Sequence, residues 1–154
     1  MEYILGKAPR KINEKNQLSI PADIVDVIEE RNKHKYAKRL YLMLDYAQGP
    51  ECSVPYIKCF DQYAFEKTVK GIIDASELCR QEIDKQGRVL IPKNFVKEAK
   101  LGSLDRIVFV EASSGKEWGM TFGIYNLDNY HKIKAEDMIK PNKRKQKRKI
   151  RNRG

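Results

Sequence analysis

Arg88 and Lys85 are the residues best suited to chemistry in this chain, within the run Asp84-Lys85-Gln86-Gly87-Arg88-Val89-Leu90-Ile91-Pro92. A guanidinium is a planar fork of donors that matches phosphate and guanine edges, whereas an ammonium is a mobile point charge. Arg88 follows a glycine and opens a strand, so its fork can reach out from a rigid turn. It can also pair with Asp84 across that turn. The two roles are compatible, because a carboxylate can orient an arginine that touches DNA. Catalytic groupings are scarce by comparison. His34 lies among lysines and His131 in a terminal helix, and neither has a Cys, Ser or carboxylate at the spacing of a base or metal site, so both read as surface histidines. Ser113-Ser114-Gly115-Lys116 ends like a phosphate loop but lacks the leading glycine, and reads as a hairpin turn. Glu29-Glu30 and Glu136-Asp137 lie on helix surfaces. No enzyme, cofactor or metal centre is expected.

The elements that position Arg88 follow from local chemistry. Asp84 can accept backbone N–H groups two residues on, and Gly87 supplies a positive φ at no steric cost. A short apolar strand follows, and then Pro92, pre-set for a helix's first turn. The same grammar occurs 71 positions earlier, in Lys11 to Ile28. There Ile12 matches Ile83, Asn13 matches Asp84, Leu18 matches Val89, Ile20 matches Ile91 and Pro21 matches Pro92. Asn16 stands for Gly87, and asparagine is among the non-glycine residues that best tolerate the left-handed region. A second pair of landmarks, Ile57 to Tyr63 and Ile124 to Tyr130, coincides at isoleucine, aspartate (Asp61, Asp128) and tyrosine with an offset of 67. Two matches in the same order imply an internal duplication.

Read in order, Tyr3 to Leu5 predicts a short strand or arm interrupted by Pro9. Arg10 to Asn13 and Leu18 to Ile20 are strands around the first turn. Pro21 to Arg31 is a helix with Ile24, Val25, Val27 and Ile28 on its apolar face. Leu40 to Tyr46 is a strand, Ala47 to Pro55 a loop and Tyr56 to Phe60 a strand. Asp61 caps a helix that places Phe65, Val69 and Ile72 on one side. Asp74-Ala75-Ser76 marks a seam. The second half repeats this plan: strands at Glu77 to Ile83 and Val89 to Ile91, a helix at Pro92 to Lys100, strands at Arg106 to Glu111 and Trp118 to Asn126, and a helix at Asp128 to Met138. The expected organisation is α+β, with one half over 1–73, a second over 74–139 and a disordered basic tail over 140–154.

The charge is uneven. The net charge is +10, but Lys140 to Gly154 carries nine Lys/Arg and no acid, leaving 22 basic against 21 acidic residues elsewhere. The tail (Lys143, Arg144, Lys145, Lys147, Arg148, Lys149, Arg151, Arg153) has the composition of a nucleic-acid-binding arm. Cys52, Cys59 and Cys79 form an odd count without CxxC spacing, which suits ordinary thiols in a reducing, cytoplasmic compartment. No segment reaches the ~18 apolar residues of a membrane span, and no signal-peptide pattern opens the chain.

The run from Asp84 to Pro92 resembles the DxxGRxxxP signature of MraZ proteins, within the AbrB-like swapped-hairpin superfamily. The resemblance covers about residues 8 to 135. It implies two half-motifs interlocked as a β-barrel with outer helices, assembly of chains into a ring-shaped homo-oligomer, and a nucleoid-associated regulator that binds repeated promoter elements of a division and cell-wall gene cluster. It also implies that Arg88 contacts double-stranded DNA. The first half has Asn13, Asn16 and Gln17 where the family has aspartate, glycine and arginine, so either Lys15 or Lys11 supplies the positive charge beside Gln17, or the first half is mainly structural and keeps the barrel rather than the contact. The alternative reading is a non-catalytic structural or assembly module whose tail binds RNA or an acidic partner. A third is an AbrB-like antitoxin whose tail occupies a toxin.

Overall fold

A computed structural model describes residues 3–32, 37–69, 78–111 and 121–134. In chain order the elements are β1 (Tyr3–Arg10), β2 (Gln17–Ser19), α1 (Ala22–Arg31), β3 (Arg39–Gln48), β4 (Ser53–Asp61), α2 (Gln62–Ala64) running into a π-helical turn over Phe65–Val69, β5 (Cys79–Glu82), β6 (Arg88–Leu90), α3 (Lys93–Ala99), β7 (Ile107–Glu111), β8 (Thr121–Asn126) and α4 (127–134). The predicted seam at 74–76, the hairpin loop at 113–116, Ile72 and the tail lie outside the described residues.

The strands form a six-stranded antiparallel sheet, ordered β1-β7-β8-β4-β3-β5, and a separate two-stranded ribbon of β2 and β6. The six-strand order reads the same from both ends once β1 is matched with β5, β7 with β3 and β8 with β4. The registers keep that correspondence: Arg10 lies opposite Ile107 as Gln81 lies opposite Leu40, and Ile107 opposite Asn126 as Leu40 opposite Asp61. No ladder closes the sheet among the described residues. The chain leaves β1 at Arg10 and β5 at Glu82 and passes through the turns into the ribbon, so β1 and β5 remain the two ends.

Several predicted boundaries move. Pro9 does not interrupt β1. It falls between Leu5 and Arg10, where the register against β7 shifts, so the missing proline N–H coincides with a local break in the ladder. Lys11 to Asn13 is not a strand: β1 ends at Arg10, and Asn13 already opens the turn. The predicted 47–55 loop shrinks to a tight hairpin, with Ala47 opposite Val54 and Pro55 opposite Tyr46. Pro55 is tolerated where β4 runs past the end of its β8 pairing at Ile57. Asp61 does cap α2, accepting the Ala64 N–H at 2.7 Å, but α-helical geometry lasts only one turn. Asp128 does not play the matching role. It is exposed inside α4, and Asn126 accepts the Asn129 N–H at 2.9 Å instead. The capping counterparts are therefore 65 residues apart rather than 67.

Strand alternation sorts the core onto two faces. Ile107 and Phe109 of β7 point, with Leu40, Leu42, Ile57 and Ile124, toward α1, α3 and the ribbon. Val108 and Val110 point the other way, with Tyr56 and Tyr125, toward Tyr130 and Ile133 of α4. Tyr41, Phe60 and Ala64 form a smaller cluster beside α2, where Phe65 stacks on Tyr41 at 4.0 Å. Of the predicted α1 face, Ile24 and Ile28 are buried, while Val25 and Val27 are half-buried. Each fully buried aliphatic side chain contributes about 1.5–3 kcal/mol relative to exposure. The ribbon thus sits firmly on the core through Leu18 and Val89, which are 0% and 1% exposed.

Candidate nucleic-acid interface

The turn that carries Arg88 is closed by its own aspartate. Asp84 Oδ1 accepts the backbone N–H of Gln86 at 2.8 Å and of Arg88 at 2.9 Å. The Asp84 N–H donates to the Arg88 carbonyl at 2.8 Å, and the Gly87 N–H to the Asp84 carbonyl at 3.0 Å. Gly87 sits at φ 80°. Oδ2 is left to accept Arg88 Nε at 3.3 Å, in an ion pair whose arginine and aspartate side chains are 33% and 39% exposed. The Arg88 N–H, foremost, holds the Asp84 carboxyl below its ordinary range; burial opposes it as the next largest effect, and the Gln86 N–H and the guanidinium add to the lowering.

The first turn has the same wiring without the charges. Asn13 Oδ1 accepts the N–H of Lys15 at 2.9 Å and of Gln17 at 2.8 Å. The Asn13 N–H donates to the Gln17 carbonyl at 3.0 Å, the Asn16 N–H donates to the Asn13 carbonyl at 3.0 Å, and Asn16 holds φ 64°. Where the second turn has an ion pair, Asn13 Nδ2 donates to Gln17 Oε1 at 3.0 Å. The amide reproduces the two backbone acceptances of the carboxylate and has a donor where the carboxylate has its second acceptor. Exposed Glu14 takes the place of Lys85, and exposed Lys15 that of Gln86.

The ribbon joins the two turns crosswise. Leu18 lies opposite Val89, Gln17 opposite Leu90 and Ser19 opposite Arg88. The Ile20 N–H donates to the Gly87 carbonyl and the Ile91 N–H to the Asn16 carbonyl, each at 2.8 Å. Each left-handed residue is therefore tied to the strand following the other turn. Because Leu18 and Val89 point into the core, alternation puts Gln17, Ser19, Arg88 and Leu90 on the outer face. Of these, Leu90 is 48% exposed.

The structure brings Arg88 and Gln17 onto one face, with Lys85 and Lys15 exposed on the turns at its ends. Lys11 is also exposed, just before the first turn. The predicted tail residues and His34 lie outside the described residues, and His131 is exposed. Sequence reading missed Ser19 and Leu90 as members of the face. Their signal was present: each lies next in sequence to a buried anchor, Leu18 or Val89. Cys59 is buried, which pushes its thiol pKa well up, and all three cysteines are free. Among the described residues no cluster of His, Cys, Asp and Glu could hold a metal, and no helix is long and apolar enough to cross a membrane.

The chain matches no curated protein. A family model described as "MraZ protein, putative antitoxin-like" matches residues 75–153. That span takes in β5, the Asp84–Arg88 turn, β6 and α3, and it continues through the basic tail. It excludes the first half, where the aspartate, glycine and arginine of the turn are replaced. With half of its length matched, including the turn that carries Arg88, the chain belongs to the MraZ family.

Proposed function

We propose that the chain is a sequence-specific, non-enzymatic DNA-binding regulator of transcription, reading duplex DNA with the outer face of the β2–β6 ribbon. The carrying observation is Arg88. Its Nε is held by Asp84 on a turn fixed by four hydrogen bonds, which leaves both terminal nitrogens of the guanidinium for a ligand. A two-stranded ribbon has dimensions that fit the major groove, where arginine pairs bidentately with guanine. Lys85, Lys15 and Lys11 supply phosphate contacts around it, and the tail adds affinity without sequence information. The palindromic strand order and the paired turns support two interlocked halves arisen by duplication, with β1 and β5 exchanged between them. Family membership supports assembly into a ring, action on repeated promoter elements of a division and cell-wall gene cluster, and a place in the cytoplasm at the nucleoid.

Competition binding separates the two contributions. Removing residues 140–154 weakens binding to all duplexes and flattens the salt dependence, by about 0.9 in log–log slope for each phosphate no longer neutralised. Arg88→Ala instead costs roughly 1–3 kcal/mol of discrimination between a preferred and a random duplex. Unchanged discrimination in Arg88→Ala would remove the turn as reader. The antitoxin-like family description favours a second reading, in which the tail occupies a toxin. On that reading, removing the tail leaves DNA affinity unchanged.

A further inference from the structure

Gln17 stands where the second half has Arg88, and its amide is held in one orientation. Both backbone acceptances in the first turn fall on Asn13 Oδ1, from Lys15 and Gln17, which settles which end of that amide is oxygen. Asn13 Nδ2 is then a donor, and the atom it reaches at 3.0 Å must be Gln17 Oε1. Gln17 therefore keeps Nε2 as a donor and the second lone pair of Oε1 as an acceptor for a ligand. The arrangement parallels Arg88, whose Nε is anchored by Asp84 while two donors remain.

A side-by-side donor and acceptor is the complement of adenine N7 and N6, as two parallel donors are the complement of guanine O6 and N7. The cross-strand neighbours extend the match. Opposite Gln17 stands the half-exposed Leu90, an apolar group of the kind that packs on a thymine methyl. Opposite Arg88 stands Ser19, whose hydroxyl can either donate or accept. We propose that the ribbon reads two different base pairs, a G·C pair through Arg88 with Ser19 and an A·T pair through Gln17 with Leu90, so that its DNA element is not self-complementary. This rests on the DNA-binding reading given above. Gln17 and Arg88 are diagonal across the ladder, about 7–8 Å apart by strand geometry. That is a little over two base steps of about 3.4 Å.

The test is selection of bound duplexes from a random pool by the full chain and its Gln17→Ala, Gln17→Arg, Asn13→Asp and Arg88→Ala variants, each first checked for native circular dichroism. The intact chain should enrich an element with one guanine and one adenine position, each preferred about 5- to 150-fold. Gln17→Ala should lose only the adenine preference, and Gln17→Arg should convert that position to guanine. Asn13→Asp can still cap the turn, as Asp84 does, but accepts from Nε2 rather than donating to Oε1. It should therefore lower the adenine preference with Gln17 still in place. An enriched element that depends on Arg88 but is unchanged by all three first-turn variants overturns the inference and leaves the regulator reading standing. No enrichment by the intact chain overturns both.

Discussion

Gly87→Ala tests how the crossed turns hold the fold. Gly87 has φ 80°, and a Cβ built there meets no atom within 4 Å, so the substitution adds conformational cost without a clash. The left-handed region costs a residue with a Cβ about 1–2 kcal/mol. The Gly87 carbonyl accepts the Ile20 N–H at 2.8 Å, so the turn cannot relax to a negative φ without breaking a bond between β2 and β6. We expect Gly87→Ala to destabilise the chain by about 1–2 kcal/mol, which lowers Tm by about 2–8 °C at this length. Gly87→Asn should cost less than half as much, because Asn16 already holds φ 64° at the equivalent place. Urea and thermal unfolding followed by circular dichroism read both. Equal stabilities of Gly87→Ala and Gly87→Asn would refute the idea that backbone conformation, rather than side-chain space, selects the residue.

The remaining predictions concern other parts of the same frame. Asp84 has a lowered carboxyl pKa in the fold, so its stabilising effect is present above its ordinary value of 3.8 and is lost as pH falls below it. Asp84→Asn, which copies Asn13, should flatten the pH dependence of unfolding below about pH 4, and an unchanged acid limb would contradict this. Gly123→Ala would put a Cβ 2.7 Å from Tyr125 Cε1 and 3.0 Å from the Tyr56 ring, inside a stack with centroids 4.5 Å apart. A cost of about 1–3 kcal/mol is expected, with a changed near-ultraviolet signal from the tyrosines. Asn32 is 6% exposed and donates to Asp61 Oδ2 at 3.2 Å while accepting the Tyr63 N–H at 3.0 Å. Asn32→Ala leaves that N–H without its acceptor and should cost about 1–3 kcal/mol in chemical denaturation.

The turns and their anchors were legible because their signals are local. Asp84 with Gly87, and Asn13 with Asn16, define the geometry within five residues, and apolar alternation around Leu18 and Val89 defines the inward side. Strand partners were not legible. Nothing local in Tyr3 to Arg10 says that it pairs with β7, or that β5 pairs with β3, since burial of the whole sheet decides both. The Asp128 landmark misled for a related reason: identity favoured Asp128, but β8 ends at Asn126, and the residue at the strand end is the one placed to cap. The first turn lacks the aspartate and arginine, and from sequence alone it reads as weakened. Its hydrogen bonds are instead complete, with a neutral amide pair in place of the ion pair.

Base reading by the ribbon through Arg88 is the central claim. The most direct measurement is selection from a random duplex pool, at one fixed salt concentration, with the intact chain and Arg88→Ala in parallel. The intact chain is predicted to enrich a short element, and Arg88→Ala to keep binding but lose the preference at its guanine position. The same element enriched by both proteins would contradict the claim.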